Sequence, residues 1–307
     1  MNSIQSVLHD AELDNLFRDD LCIFAGAGIS FSSGIPLVKE IKKYIVEKIC
    51  DDPEDQWIML SNPMPFEVFM EILFDNFHCL WPSSPVPPLE LLLTMAMENF
   101  FPESQSFFTL FGPEGYEPNA NHYFIAQMLD SGQALFAVTT NFDTLIEKAY
   151  FEITGRELVV FCSGEDIKFG EVFPFLLKLH GDCRRVETIL TTVANISKSS
   201  SVKHCEEMIG YTFKSGPHTT VLSMGYSFSD VFDIVPAIRS LGAPVKKVIN
   251  IKHISDNIPP SLYPIGDRKA MFATFDGYQI EADTDQIVQY LSKRYLKKES
   301  VPTEDKG

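Results

Sequence analysis

Five short apolar segments, each followed by a loop and then by a helical pattern, constrain the fold of this chain most strongly. Strands that alternate with helices indicate parallel crossovers, and parallel strands bury both faces of their sheet under helices. The sequence therefore predicts an α/β fold: a Rossmann-like parallel sheet with helices on both faces. The predicted strands are residues 21–25, 135–139, 175–179, 221–224 and 245–251.

The domain organisation follows from the spacing of these segments along 307 residues. We predict a single domain over residues 1–300 and a flexible tail over 298–307. Between the first two strands, apolar residues recur at helical spacing, as in Val38 and Ile41, so residues 40–132 are predicted to form a mostly helical insertion or subdomain. Helical periodicity is first a burial signal, and we interpret the aromatic residues there as core rather than pocket lining.

Composition and charge exclude several classes of partner. The chain has 42 acidic and 25 basic residues, a formal net charge of −17. Binding to nucleic acid needs clustered Lys and Arg, so we expect no direct contact with nucleic acid. No segment approaches the roughly 18 uninterrupted apolar residues of a membrane helix, and the first twenty residues lack a secretory pattern. We therefore expect a cytoplasmic protein with no membrane contact.

The cysteines predict neither a disulfide framework nor a metal site, because no two of them form a CxxC pair. No zinc or other metal is expected. The six are Cys22, Cys50, Cys79, Cys162, Cys183 and Cys205.

A glycine-rich loop follows the first predicted strand and precedes a helix predicted near Leu37: LCIFAGAGISFSSGIP, residues 21–36. Glycine lets a ligand approach the backbone closely, and backbone amides can bind phosphate without a basic side chain. The dinucleotide pattern GxGxxG would need glycine at position 31, which is Phe31, so an ordinary Rossmann dehydrogenase is disfavoured. The candidate cofactor-binding residues here are Ala25, Gly26, Ala27, Gly28, Ser30, Ser33, Gly34 and Pro36.

Polar residues at other strand ends have both structural and functional interpretations. Thr140 and Asp143 have the spacing of a capping box, with Asn141 as a further cap. His180 ends a strand, and an imidazole titrates near neutrality, whereas the other histidines, including His122, are interpreted as core or surface residues.

The later strands end in two further candidates. Gly225 and Ser227 form either an anion site or a turn before a helix opened by Ser229 and Asp230. Asn250 fits a strand-end turn equally well.

Taken in order, five segments resemble the sirtuins, the silent-information-regulator family. GAGIS followed by SGIP resembles its nicotinamide-dinucleotide loop, and TTNFD resembles the family's Gln-Asn-Ile-Asp. LLKLHGD resembles its His-Gly segment, MGYSFSD stands where the family has its Gly-Ser-Ser phosphate loop, and VIN stands where it has Ile-Asn. The resemblance spans residues 22–250 but does not cover the insertion or residues 184–220.

This resemblance implies NAD as the ligand and assigns roles to the polar candidates. Asn141 would order the nicotinamide ribose and a water, and Phe142 and Asp143 would contact the nicotinamide, with Asp143 accepting from its carboxamide. His180 would act as the general base, and Asn250 would bind the adenosine ribose.

Two departures from the family pattern bear on the reaction. Sirtuins that deacylate lysine carry a zinc ribbon of two cysteine pairs, but residues 184–220 contain only Cys205. The family's Phe-Arg after Gly-Ile-Pro is also missing, since Leu37 and Val38 follow Pro36. These features resemble the prokaryotic sirtuin-like branch of anti-phage defence, which implies NAD hydrolysis in an oligomer or under a regulatory partner such as a DNA translocase ATPase.

Three functions therefore remain open from the sequence. The favoured one is an NAD+ glycohydrolase in which NAD is the substrate and Asn141, His180 and Asp143 are catalytic. The second is an NAD-dependent protein deacylase or ADP-ribosyltransferase, and the third is a non-catalytic module that binds NAD or ADP-ribose. Nicotinamide release without an acylated peptide separates the first from the second.

Overall fold

Eight strands form one sheet in the computed structural model. The strands are β1 (Leu21–Ala25), β2 (Ala134–Thr139), β3 (Val159–Cys162), β4 (Phe175–Lys178), β5 (Thr220–Met224), β6 (Lys247–His253), β7 (Ser261–Pro264) and β8 (Asp276–Ala282). Their order across the sheet is β3-β4-β2-β1-β5-β6-β8-β7, and all neighbours run parallel except β7, which is antiparallel to β8. The predicted Rossmann-like sheet is confirmed. The structure describes residues 11–18, 20–38, 40–42, 89–99, 115–162, 172–227, 230, 232–242, 246–254, 258–265, 272 and 274–296.

The helices connect and cover these strands. They are α1 (Ala11–Arg18), α2 (Leu89–Asn99), α3 (Ala120–Asp130), α4 (Leu145–Thr154), α5 (Val193–Ile196), α6 (Ser199–Gly210), α7 (Ile234–Ser240) and α8 (Thr284–Tyr295), with a 3-10 helix at Ala27–Ser33 and a π-helical turn at Tyr211–Ser215. None of the helices in the described ranges has the length and apolar character needed to cross a bilayer.

Strand β1 shows why helices cover both faces of the sheet. Successive side chains of a strand point to opposite faces, and all five residues of β1 are buried. Leu21 and Ile23 pack into the core formed with α1, α3, α4 and α8. Cys22 and Phe24 pack into the opposite core, under α6, the π-helical turn and α7. A strand buried on both faces requires the unbroken apolar sequence LCIFA.

The boundaries of the five predicted strands agree with the structure to within two residues. One of the differences affects a predicted site residue. Strand β6 continues to His253, so Asn250 lies inside a strand and the strand-end turn proposed for it is wrong. Its Nδ2 donates to Gln279 Oε1 on β8 at 3.3 Å.

Most of the predicted insertion, residues 40–132, and the whole tail, residues 298–307, lie outside the described residues. Inside the insertion, α2 and α3 are described and both are helical. The division into a single domain with an insertion therefore stays a prediction.

A buried ammonium group joins β4 to the segment that follows β2. Lys178 is fully buried at the end of β4, and its Nζ lies 2.8 Å from Glu147 Oε1 on α4 and 3.1 Å from Asp182 Oδ2. The same Nζ donates to the carbonyl oxygen of Asp143 at 2.6 Å. Burial alone would lower the pKa of Lys178, but the carboxylates of Glu147 and Asp182 raise it above its usual range, so the group is charged.

Replacing this lysine should destabilise the fold far more than replacing a lysine that pairs with an exposed carboxylate. We expect Lys178→Met to lower the free energy of unfolding by about 3–5 kcal/mol, because two buried carboxylates lose their buried cation and keep only Arg184, whose side chain is 46% exposed. The matched control is Lys148→Met on α4, whose partner Glu117 is 78% exposed; this change should cost less than about 1 kcal/mol. Urea denaturation of both variants measures the difference, and equal losses would contradict the structural role of Lys178.

Candidate active site

The candidate site lies where four parallel strands end. The last residues of these strands are Ala25 in β1, Thr139 in β2, Lys178 in β4 and Met224 in β5. Strand β1 lies between β2 and β5, so the segments that leave these strands diverge to opposite sides of it. Such a divergence opens a crevice at the carboxyl edge of a parallel sheet, which is where ligands of open α/β folds bind. A cavity that opens to solvent occupies this crevice.

The structure brings about half of the predicted site residues to this cavity. Those that line it are Ala27, Ser30, Pro36, Asn141, Phe142, Asp143, His180 and Ser227. Those that do not line it are Ala25, Gly26, Gly28, Ser33, Gly34, Gly225 and Asn250. Six apolar side chains form much of the remaining wall: Ile35, Val38, Ile41, Leu89, Leu93 and Leu190. The other residues of this wall carry polar groups and are Thr140, Thr191, Tyr226, Glu90 and Asp230.

Asp143 is the centre of a buried hydrogen-bond cluster at one end of the cavity. Its Oδ2 accepts from Ser30 Oγ at 2.8 Å and from Asn141 Nδ2 at 3.1 Å, and its Oδ1 accepts from the backbone N–H of Leu145 at 3.1 Å. Asn141 Nδ2 also lies 3.1 Å from Ser30 Oγ. Three donors fix the orientation of the carboxylate, so it presents a rigid acceptor edge to the cavity.

His122 supports this cluster from behind. Asn119 caps α3, and its backbone N–H donates to His122 Nδ1 at 3.0 Å. Because Nδ1 accepts, the neutral ring carries its proton on Nε2 and donates it to Ser30 Oγ, 3.1 Å away. Burial lowers the pKa of His122 to about 4, so the ring is neutral at physiological pH. Ser30 thereby accepts from His122 and donates to Asp143.

One acceptor of the cluster has no protein partner. Asn141 is 6% exposed, and its Oδ1 is buried without a hydrogen bond to any described residue. An unpaired buried acceptor is costly, and binding sites are where such costs are retained. Because it lies in the cavity wall, this oxygen is placed to accept a hydrogen bond from a hydroxyl group of a ligand or from a water.

His180 forms an ion pair with a residue of α7. Its Nε2 lies 3.0 Å from Asp233 Oδ2, and Asp233 Oδ1 caps α7 by accepting from the N–H of Ile234 at 2.6 Å. Burial lowers the pKa of His180, but Asp233, Asp230 and Glu90 outweigh it and raise the pKa to about 9. The ring is therefore a cation at neutral pH. The expected role of general base requires a neutral ring, which the ion pair with Asp233 disfavours at neutral pH, and that role stays a prediction.

Several predicted local interactions are corrected by the structure. Helix α4 begins at Leu145 after Thr144, so Thr140 and Asp143 do not form a capping box around Asn141; Asp143 Oδ1 instead bonds the N–H of Leu145. Helix α7 begins at Ile234 and is capped by Asp233 and not by Asp230, while Ser229 lies outside the described residues.

The glycines of the loop after β1 allow close packing against the segment after β5, and their amides are not free to bind an anion. The N–H of Gly26 donates to the carbonyl of Met224, and that of Gly28 donates to the carbonyl of Gly225, so neither amide is free for phosphate. A Cβ on Gly26 would lie 2.6 Å from the Cα of Tyr226. Gly225 itself has φ of 65°, in the left-handed region that favours glycine. These glycines let the segments that follow β1 and β5 touch. That Gly26 and Gly28 also bind the cofactor stays a prediction.

Sequence reasoning missed Asp233, Lys178, Glu90 and the participation of His122. His122 had a usable signal, because Asn119 three residues earlier marks a helix cap. Lys178 stands in an otherwise apolar strand, where a lysine needs a buried partner. Asp233 and Glu90 carry no such signal, since they reach the cavity only through tertiary packing.

The fold and this site define a Rossmann-like α/β protein with a polar cavity at the carboxyl edge of its sheet. A family model described as a SIR2-like domain matches residues 136–243, from β2 to the end of α7. The matched segment contains Asn141, Asp143, His180 and Asp233. This part of the chain is therefore similar to SIR2-like domains.

Solved structures with a similar arrangement are sirtuins, and the likeness is distant. A Sir2 homologue in complex with NAD is 12% identical, with 94% of this chain and 95% of that chain covered and a TM-score of 0.45. Sir2 bound to an acetylated peptide is 12% identical, with 92% and 97% covered and a TM-score of 0.38. At identities this low, the substrates of those proteins say nothing about the substrate of this chain. No curated protein sequence matches the chain.

Removing the partner of His180 should change the titration of its ring. We expect Asp233→Asn to lower the pKa of His180 from about 9 by about 1–3 pH units, because an opposite charge and a charged hydrogen bond are lost. Titration of the imidazole signals by NMR measures this value. An unchanged pKa in the variant would contradict the assignment of Asp233 as the main partner.

The same shift predicts how stability depends on pH. The pKa of His180 is higher in the folded protein than the usual 6.5 of an unfolded chain. Its contribution to stability is therefore complete below about pH 6.5 and is lost as the pH rises through 9. In urea denaturation, the free energy of unfolding should therefore fall less between about pH 6.5 and 9 for Asp233→Asn than for the wild type.

Proposed function

We propose that this protein is an NAD+ glycohydrolase, which cleaves NAD+ to nicotinamide and ADP-ribose with water as the final nucleophile. The observation that carries the proposal is the unpaired Oδ1 of Asn141, held beside the carboxylate of Asp143 in the wall of the cavity that also contains His180. The match of residues 136–243 to SIR2-like domains supports NAD as the ligand.

Cleavage of the glycosidic bond needs stabilisation of positive charge. The bond between ribose C1′ and the nicotinamide nitrogen breaks with both electrons moving to that nitrogen, which leaves an oxocarbenium-like ribose. Carboxylates held in a low-dielectric cavity stabilise such a charge without reorganising. Asp143, with its three donors, is the group of this kind whose orientation is fixed best.

Asn141 and His180 would orient the ribose and the water. Asn141 Nδ2 is engaged by Ser30 and Asp143, so its Oδ1 is the atom that accepts from a ribose hydroxyl or from water. Asp233 engages Nε2 of His180, which leaves Nδ1 as the ring nitrogen available to a ligand. As a cation, His180 would donate a hydrogen bond to a ribose oxygen rather than remove a proton from it.

Hydrolysis is favoured over transfer to a peptide by the segment after His180. Sirtuin deacylases share a four-cysteine zinc ribbon in this segment, whereas this chain has α5, α6 and the π-helical turn there. Cys183 is half-buried, and Cys205, a residue of α6, is buried in the core that this helix covers.

Nicotinamide release from NAD+ without any acylated peptide tests the proposal. We expect turnover by the wild-type protein and a loss of about 100-fold or more in kcat for Asn141→Ala and for His180→Ala, since each removes a group that orients the reacting atoms. Circular dichroism must show both variants folded. Turnover only in the presence of an acylated peptide would favour the deacylase, and NAD+ binding by calorimetry without turnover would favour a non-catalytic module.

The proposed biological role is depletion of NAD+ as an abortive-infection effector against phage, and it rests on resemblance alone. A hydrolase of an essential cofactor has to be restrained, so we expect control by self-association into a homo-oligomer or by a partner such as a DNA translocase ATPase. Light scattering coupled to gel filtration, with activity measured on each fraction, tests this. A monomer with full activity and no added factor would contradict such control.

A further inference from the structure

A buried carboxyl oxygen of α2 faces the cavity without a partner. Glu90 is 6% exposed and lines the cavity, and its Oε2 has no hydrogen bond to any described residue. The neighbouring lining residues of the same helix, Leu89 and Leu93, are apolar. A buried acid without a protein partner is unfavourable for folding, so its retention in a cavity wall points to a role toward a ligand.

The position of Glu90 is held by its own helix and by α5. Thr94 Oγ1 donates to the carbonyl oxygen of Glu90 at 2.7 Å and accepts from the N–H of Val193 at 2.8 Å. This bridge ties the first turn of α2 to the first residue of α5. The carboxyl group is therefore presented from two packed helices rather than from a free loop.

The charges around Glu90 hold its carboxyl group between its two protonation states at neutral pH. Burial raises its pKa, Asp230 and Asp233 raise it further, and His180 and the N–H of Glu90 itself oppose them, with a result of about 7. Lys42 is the other charged group nearby, and burial lowers its pKa while Glu90 raises it. A group that is half ionised at the working pH is suited to both accept and release a proton.

The other carboxyl groups of the cavity already have protein partners. Both oxygens of Asp143 accept hydrogen bonds, from Ser30, Asn141 and Leu145. Asp233 is occupied by His180 and by the cap of α7. Asp230 lies against the hydroxyl group of Tyr226.

We infer that Glu90 is the general base of the hydrolysis, a role that rests on the proposed function. Its carboxylate removes a proton from the attacking water as the water oxygen bonds to C1′ of the ribose. The bond from C1′ to nicotinamide breaks, its electron pair neutralises the pyridinium nitrogen, and the proton on Glu90 then passes to solvent. The products are nicotinamide, ADP-ribose and one proton, so atoms and charge balance. His180, a cation held by Asp233, orients the ribose in this scheme.

The first test replaces the carboxyl group by an amide of the same shape. We expect Glu90→Gln to lower kcat about 100-fold or more while KM changes little, because a proton acceptor is lost and binding contacts are kept. Wild-type kcat/KM should fall below about pH 7, as Glu90 becomes protonated, and this acid limb should be absent from the variant. Glu206→Gln, on the exposed surface of α6, is the matched control and should retain wild-type rates.

The second test supplies a nucleophile that has no proton to lose. Glu90→Ala removes the base and leaves space, so sodium azide should restore nicotinamide release at least about 10-fold and yield ADP-ribosyl azide, detected by mass spectrometry. Asn141→Ala lacks an orienting group instead of the base, and azide should not restore it.

The outcomes separate this inference from the proposed function. If the wild type is active, three results would support Glu90 as the base. These are a lower kcat in Glu90→Gln, loss of the acid limb in that variant and azide rescue of Glu90→Ala. Active wild type with unchanged kcat and an unchanged acid limb in Glu90→Gln would overturn the inference alone. Wild type that releases no nicotinamide would overturn the proposed function and this inference with it.

Discussion

The buried ammonium group of Lys178 is the interaction on which the geometry of the candidate site depends. It forms ion pairs with two buried carboxylates, Glu147 and Asp182, which Arg184 also contacts, and it donates to the carbonyl of Asp143. The segment that follows β2 is thereby fixed to the end of β4. Since Asn141 and Asp143 belong to that segment and His180 follows β4, a single cation sets the relative positions of the groups from two strands.

The electrostatics of the cavity are dominated by carboxyl groups. Asp143, Glu90 and Asp230 line it, and Asp233 lies behind His180. Such a site suits a reaction in which positive charge develops on a ribose, and it also explains why His180 is protonated. In the mechanism that we propose, His180 is a cation that orients the ribose and Glu90 is the base that accepts a proton from water.

The predictable part of the site was the part with local sequence signals. Asn141, Asp143 and His180 follow apolar strands, and the ends of parallel strands share one edge of a sheet, so their convergence could be anticipated. The roles of the glycines could not, because a glycine that binds phosphate and a glycine that lets two backbones touch are the same residue in a sequence. Asn250 was misplaced because the ladder with β8 carries β6 three residues past it.

Periodicity and apolar runs were sufficient for the α/β class, for five of the eight strands and for the edge where ligands of such folds bind, because these follow from local patterns repeated along the chain. They did not predict β3, β7 and β8. They could not identify Glu90 or Asp233, which lie 90 and 53 residues from His180 in the sequence and approach it by packing of α2 and α7. The protonation of His180 was equally inaccessible. A pKa depends on burial and on neighbouring charges, and both exist only once the chain has folded.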